Sequence, residues 1–167
     1  RRDPLAHSHV RDGSPTDPDS VDLTAAATAA PAPGLNAPNE AAATILVCPS
    51  NPIVSIGPIL AVPAIREAVT ASLAPVVAVS PIVSGAPIKG PAHTLLAAQG
   101  IEVSALGVAR FYREWINGYV FDERDAALGP QIEALGLATR CLDTMMVDAN
   151  VSEQVARAAI EVAGECA

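Results

Sequence analysis

The chain has 167 residues, half of them apolar, and a formal charge of −8 at pH 7, with 18 Asp and Glu against 10 Lys and Arg. That length fits one ordinary domain with a buried core, and the acidic balance, with no basic cluster set against it, opposes the counterion release that drives nucleic-acid binding. No run reaches the roughly 18 apolar residues a membrane-spanning helix needs, and Cys48, Cys141 and Cys166 are spaced for neither a disulfide framework nor a CxxC metal site, so the expectation is a cytoplasmic protein with no nucleic-acid and no membrane partner.

Residues 1–43 are rich in Asp, Pro, Ser and Ala, with no aromatic and no sustained period. Such a stretch buries too little surface to offset its ordering entropy, and a loose tail is expected. His7 and His9 within it read as a solvated pair, since no Cys or third His completes a metal site.

From Thr44 the pattern changes, and 44–167 reads as one domain. Strands are expected at 45–48, 76–79, 119–121 and 137–142, each almost continuously apolar, as strands covered on both faces require. Helices are expected at 63–73 and 91–99, both opened by Pro and the second stopped by Gly100. A third is expected at 103–116 and a short one at 131–135 before Gly136. The last is capped by Ser152 and gathers Val155, Ala159 and Val162 on one face. Four alternations of strand and helix give an α/β fold with a doubly wound parallel sheet.

In such a sheet ligands bind beyond the carboxyl ends of the strands. After the first strand comes Pro49-Ser50-Asn51-Pro52-Ile53-Val54-Ser55-Ile56-Gly57-Pro58. Ser50 and Asn51 offer short donors and acceptors, and N–H groups near Gly57 would receive an anionic oxygen. The plainer reading is that Ser50 and Asn51 form a turn and Ser55 caps a helix. The loop after the second strand ends in Lys89-Gly90-Pro91. There Lys89 is either a point charge for a phosphate, with Gly85 and Gly90 permitting close backbone approach, or a solvated turn residue. It is not a Walker loop, because the GxxxxGK[ST] order is absent.

Asp122-Glu123-Arg124-Asp125 follows the third strand and Asp143-Thr144 the fourth. Carboxylates there hold Mg²⁺, meet a ribose hydroxyl, or begin helices. Glu123 and Asp125 read as caps, and Asp122 and Asp143 stay open between these roles. His93 has no recognisable nucleophile beside it, which leaves a catalytic triad unsupported. Tyr112 and Trp115 either stack on a planar ligand or, as is commoner at helical spacing, belong to the core.

Taken in order, Pro49-Ser50-Asn51-Pro52-Ile53-Val54-Ser55-Ile56-Gly57, Ser80-Pro81-Ile82-Val83, Lys89-Gly90-Pro91-Ala92, Glu102-Val103-Ser104-Ala105-Leu106-Gly107-Val108-Ala109 and Asp122-Glu123-Arg124-Asp125 resemble the 2-phospho-L-lactate transferase family of coenzyme F-420 biosynthesis. The likeness runs from about Pro31 to the end. Ser84 stands where that family usually has Gly. Actinobacterial members, whose Ala-rich composition this chain shares, are described as phosphoenolpyruvate transferases.

The resemblance implies a Rossmann-like enzyme that moves a phospholactyl or phosphoenolpyruvyl group from a guanosine diphosphate-linked donor to the deazaflavin Fo. Mg²⁺ assists and GMP is released. It implies that Ser50, Asn51, Ser55 and Gly57 line the donor site, with Lys89 and Gly90 near phosphate or acceptor, and it admits a homodimer. The family's Gly-rich first loop and metal-holding acidic residues have no counterpart here, so the resemblance implies an incomplete, C-terminal portion whose activity alone is open. The rival reading is a non-catalytic nucleotide-sugar-binding regulator on a related scaffold.

Overall fold

The computed structural model describes residues 26–31 and 42–166. Within the stretch expected to be a tail, Ala26–Thr28 forms a 3-10 turn with Ala26 buried; His7 and His9 lie outside the described residues.

Strand β1 is the branched aliphatic run Ile45–Val47. A π-turn at Pro52–Ile56 leads into helices α1, Gly57–Leu60, and α2, Pro63–Ala71. Pro52, Pro58 and Pro63 each sit in the first turn of their element, where a missing N–H leaves no bond unmade. Strand β2, Val76–Val79, is buried throughout. A small hairpin follows, β3 at Ile82–Val83 and β4 at Ala86–Pro87, then helices α3, Ala92–Ala98, and α4, Ala105–Tyr112. Strand β5, Gly118–Asp122, runs into a 3-10 segment, Glu123–Leu128, and α5, Gly129–Glu133. Strand β6, Ala138–Leu142, and the long α6, Ala149–Glu165, complete the order.

The main sheet has the order β1-β2-β5-β6, with every neighbouring pair parallel. Alternate residues serve opposite layers, as the two-residue period of a strand requires. Val76, Ala78, Tyr119 and Phe121 pack with α2, α3, α4 and α5 through Val69, Leu96, Val108 and Ile132. Val77, Val79 and Val120 pack against Val155, Ala159, Val162 and Ala163 of α6. The fold is α/β, a four-stranded parallel sheet with helices on both faces, compatible with a Rossmann-like arrangement.

Coverage on both faces holds for the central strands β2 and β5 but not for the edges. Leu46 of β1 stays 38 % exposed because α6, the helix on its side, lies over β2, β5 and β6. Residues Arg140 and Cys141 of β6 likewise reach solvent, and the pattern there is mixed rather than apolar.

Several helix bounds differ from expectation: α3 begins at Ala92 rather than 91, α5 spans Gly129–Glu133 rather than 131–135, and α4 ends at Tyr112 rather than 116, while two starts are set by side-chain caps. Helix α4 begins at Ala105 rather than 103, because the Ser104 Oγ accepts from Gly107 N at 2.9 Å. The same hydroxyl donates to Glu102 at 2.7 Å, and Glu102 pairs with Arg110. A Cβ on Gly107 would lie 1.9 Å from the Glu102 carbonyl oxygen, so the Glu102-to-Ala109 motif is a capped helix start pressed against its own entry. Helix α6 begins at Ala149, three residues ahead of Ser152, because Asp148 accepts from Val151 N at 2.9 Å and acts as the cap. The Ser152 hydroxyl instead donates to the Asp148 carbonyl.

The hairpin was not expected. Its central residues are Ser84 at φ 51° and Gly85 at φ 73°, the left-handed pair that a type I′ turn requires. This explains why Gly is natural at position 84.

Two outcomes follow for equilibrium unfolding by denaturant. Gly107→Ala should cost about 2–3 kcal/mol, since the added carbon meets backbone rather than a flexible side chain. Ser84→Gly should raise stability by about 0.5–1 kcal/mol, the relief of left-handed strain exceeding the added chain entropy.

Candidate functional site

A cleft of about 670 Å³ opens beyond the carboxyl ends of the strands, a size ordinary for small-molecule sites. Ser50, Asn51 and Ser55 line it from the segment after β1, and Lys89 and Gly90 from the approach to α3. Residues 144–147, after β6, form a third wall. Five of the six site residues expected from sequence therefore meet in one place; Gly57 is not among the lining residues.

Asn51 shapes the first wall. Its Oδ1 accepts from Ile53 N at 2.9 Å and Val54 N at 3.3 Å, and its carbonyl accepts from Ser55 N and Ile56 N. The Gly57 amide donates to the Pro52 carbonyl. Asn51, not Ser55, is thus the cap, and the N–H groups expected to receive an anionic oxygen near Gly57 are already engaged. This wall brings Ser50 and Ser55 to the cleft instead.

On the second wall Lys89 is exposed and has no carboxylate partner among the described residues. Gly90, at φ 73°, turns the chain into α3. His93 lies exposed on α3, with the Thr94 hydroxyl at 3.1 Å from its Nε2. Tyr112 is buried in the core, edge-on to Trp115 at a centroid distance of 4.8 Å, and neither ring lines the cleft.

The third wall depends on a buried carboxylate. Asp122, fully buried at the end of β5, accepts from the Thr144 N–H at 2.8 Å and hydroxyl at 2.9 Å on Oδ2. Its Oδ1 accepts from Arg124 N at 3.0 Å and Nη1 at 2.8 Å. Arg124 also reaches Asp143 at 3.3 Å. Burial alone would raise the Asp122 carboxyl, yet the bonds from Arg124 and Thr144 outweigh it and hold the group below the ordinary carboxylate value.

Asp122 therefore stays charged and caps the 3-10 segment, with its oxygens committed to protein donors. Asp125, also buried, does not cap that segment; its Oδ2 accepts from Ser84 N at 2.9 Å across the fold. Glu123 is exposed. Sequence reasoning missed the wall at 144–147, and the only signal for it was Asp122 and Asp143-Thr144 ending strands that turn out to be adjacent.

The lining holds no carboxylate, His or Cys, and no metal-binding group of three such residues occurs among the described residues. These residues do not fit a Mg²⁺ site by themselves. What they fit is a ligand with anionic oxygens for Lys89 and the serines and a less polar portion for Val54, Ile88, Met145 and Met146.

Comparison of the sequence with known proteins points to a family. The family described as 2-phospho-L-lactate transferase CofD matches residues 7–162, so the likeness begins well ahead of Pro31. The chain is 44 % identical over 155 residues to a phosphoenolpyruvate transferase of Kitasatospora aureofaciens, covering 92 % of this chain and 48 % of that protein. It is 45 % identical over 138 residues to a phosphoenolpyruvate transferase of Streptomyces griseus, covering 82 % of this chain and 43 % of that one. With the 2-phospho-L-lactate transferase of Methanosarcina mazei the identity is 40 % over 141 residues, or 84 % and 46 % of the two chains. The chain thus spans about half the length of the curated relatives it matches. By the extent and identity of these matches, the chain belongs to the 2-phospho-L-lactate transferase CofD family.

Proposed function

We propose that the cleft is the donor-binding wall of a transferase of coenzyme F-420 biosynthesis. The donor is a guanosine diphosphate-linked three-carbon acid, and the acceptor is the terminal ribityl hydroxyl of Fo. The hydroxyl oxygen attacks the phosphorus of the phospholactyl or phosphoenolpyruvyl group and loses its proton to solvent, the P–O bond of the diphosphate breaks, and GMP departs with the bonding electrons. In such displacements positioning and neutralisation of charge do most of the work. Lys89 meets phosphate charge, Ser50 and Ser55 orient phosphate or ribose oxygens, and the Met145–Met146 side receives the less polar part of the ligand.

The observation that supports this reading is the meeting of Ser50, Ser55 and Lys89, from segments after two different strands, in one cleft of a chain of this family. The Mg²⁺ implied by the family likeness has no ligand set in this lining, and the residues here act by position and charge.

Calorimetric titration with GDP tests the proposal on the chain as it is. The expected result is saturable binding that weakens as salt rises. Lys89→Ala should weaken it about tenfold, the effect of losing one charge-assisted contact. A folded wild-type chain with no affinity for GDP would overturn the reading.

A further inference from the structure

Two walls of the cleft are tied to one short segment that itself stays out of the lining. Asp122 ends β5 and Asp125 lies three residues on in the 3-10 segment, and both residues are buried. Asp122 holds the start of the 144–147 wall through two bonds from Thr144. Asp125 holds the β3–β4 hairpin through the Ser84 N–H, at the turn whose left-handed residues set where β4 delivers Ile88 and Lys89.

Arg124, between the two carboxylates in sequence, lies in the gap between the tethered walls. A groove there is lined by Val83, Ser84, Ile88, Arg124 and Met145, and Ile88 and Met145 also line the main cleft. Its guanidinium joins Asp122 to Asp143, which in turn accepts from Met145 N at 3.1 Å.

We propose that Asp122 and Asp125 are positioning residues of the transferase site, one turn acting as a clamp that sets the spacing between the Lys89 wall and the 144–147 wall. This rests on reading the cleft as a nucleoside diphosphate site. Each carboxylate governs its own wall: Asp122 the segment after β6, Asp125 the hairpin. The backbone of residues 144–147 makes few other bonds, Met146 N to the Thr144 carbonyl and Val147 N to that of Met145 being internal to the segment. Its place therefore depends on the tether.

Amide hydrogen exchange read by residue, together with GDP titration, tests the clamp. Asp122→Asn and Thr144→Val should speed exchange at residues 144–147 at least about tenfold, leaving residues 84–88, β2 and α6 as in wild type. Asp125→Ala should do the converse, loosening 84–88 and sparing 144–147. Thr144→Ser, which keeps the hydroxyl, should restore wild-type exchange and GDP affinity. Every loosened variant should bind GDP more weakly.

Exchange that rises evenly through β2, β5 and α6, or does not rise at 144–147, would overturn the clamp. So would loosened walls with unchanged GDP affinity. A wild-type chain that binds no GDP would defeat the donor-site reading and with it the claim that the clamp positions a GDP site, whereas the exchange data alone decide whether each carboxylate tethers its own wall.

Discussion

A carboxylate removed from water must have its charge met by donors, and Asp122 has four of them at 2.8–3.0 Å. They serve three tasks. The backbone donor of Arg124 starts the 3-10 segment, the Arg124 guanidinium brings in Asp143, and the two donors of Thr144 turn the chain after β6 back towards the cleft. The end of the central strand β5, the direction of the next segment and the far wall of the site are settled by one side chain. Taking away a donor to such a buried group leaves it with its burial and without its compensation, and the loss falls first on the segment that the missing donor tied down.

The same sheet shows where the chain is self-sufficient and where it is not. Strands β2 and β5 have neighbours on both edges and layers on both faces. Among the described residues strand β1 has one neighbour and leaves Leu46 partly open. Strand order follows chain order, so the described residues contain no reversal of the kind that places a crevice in the middle of a doubly wound sheet. The cleft is instead built by loops after β1, β2 and β6, with the relatives extending over about twice this length.

Much of this was legible in sequence, for definable reasons. The two central strands stood out because 76–79 and 119–121 are apolar without interruption, as double coverage demands, and the edge strands by their short apolar or β-branched runs at the same spacing. Ser50, Asn51, Ser55, Lys89 and Gly90 could be placed together because loops after parallel strands share one end of the sheet. The hairpin was illegible: its strands are two residues each, one of them Ala86–Pro87, and its turn carries Ser where the signal would be Gly or Asn. Asn51 and Asp148 were passed over as caps in favour of Ser55 and Ser152, since all four residue types cap well and only geometry chooses between them. The Met145–Val147 wall is ordered by Thr144 meeting Asp122 across 22 positions, a contact no local pattern announces.

The central claim is that these loops form one nucleoside diphosphate site, and an amide-resolved NMR titration with GDP addresses it most directly. The account predicts shifts concentrated at residues 50–55, 89–92 and 144–147, saturating together with a single affinity. Shifts that appear elsewhere, or that titrate separately on the three segments, would contradict it.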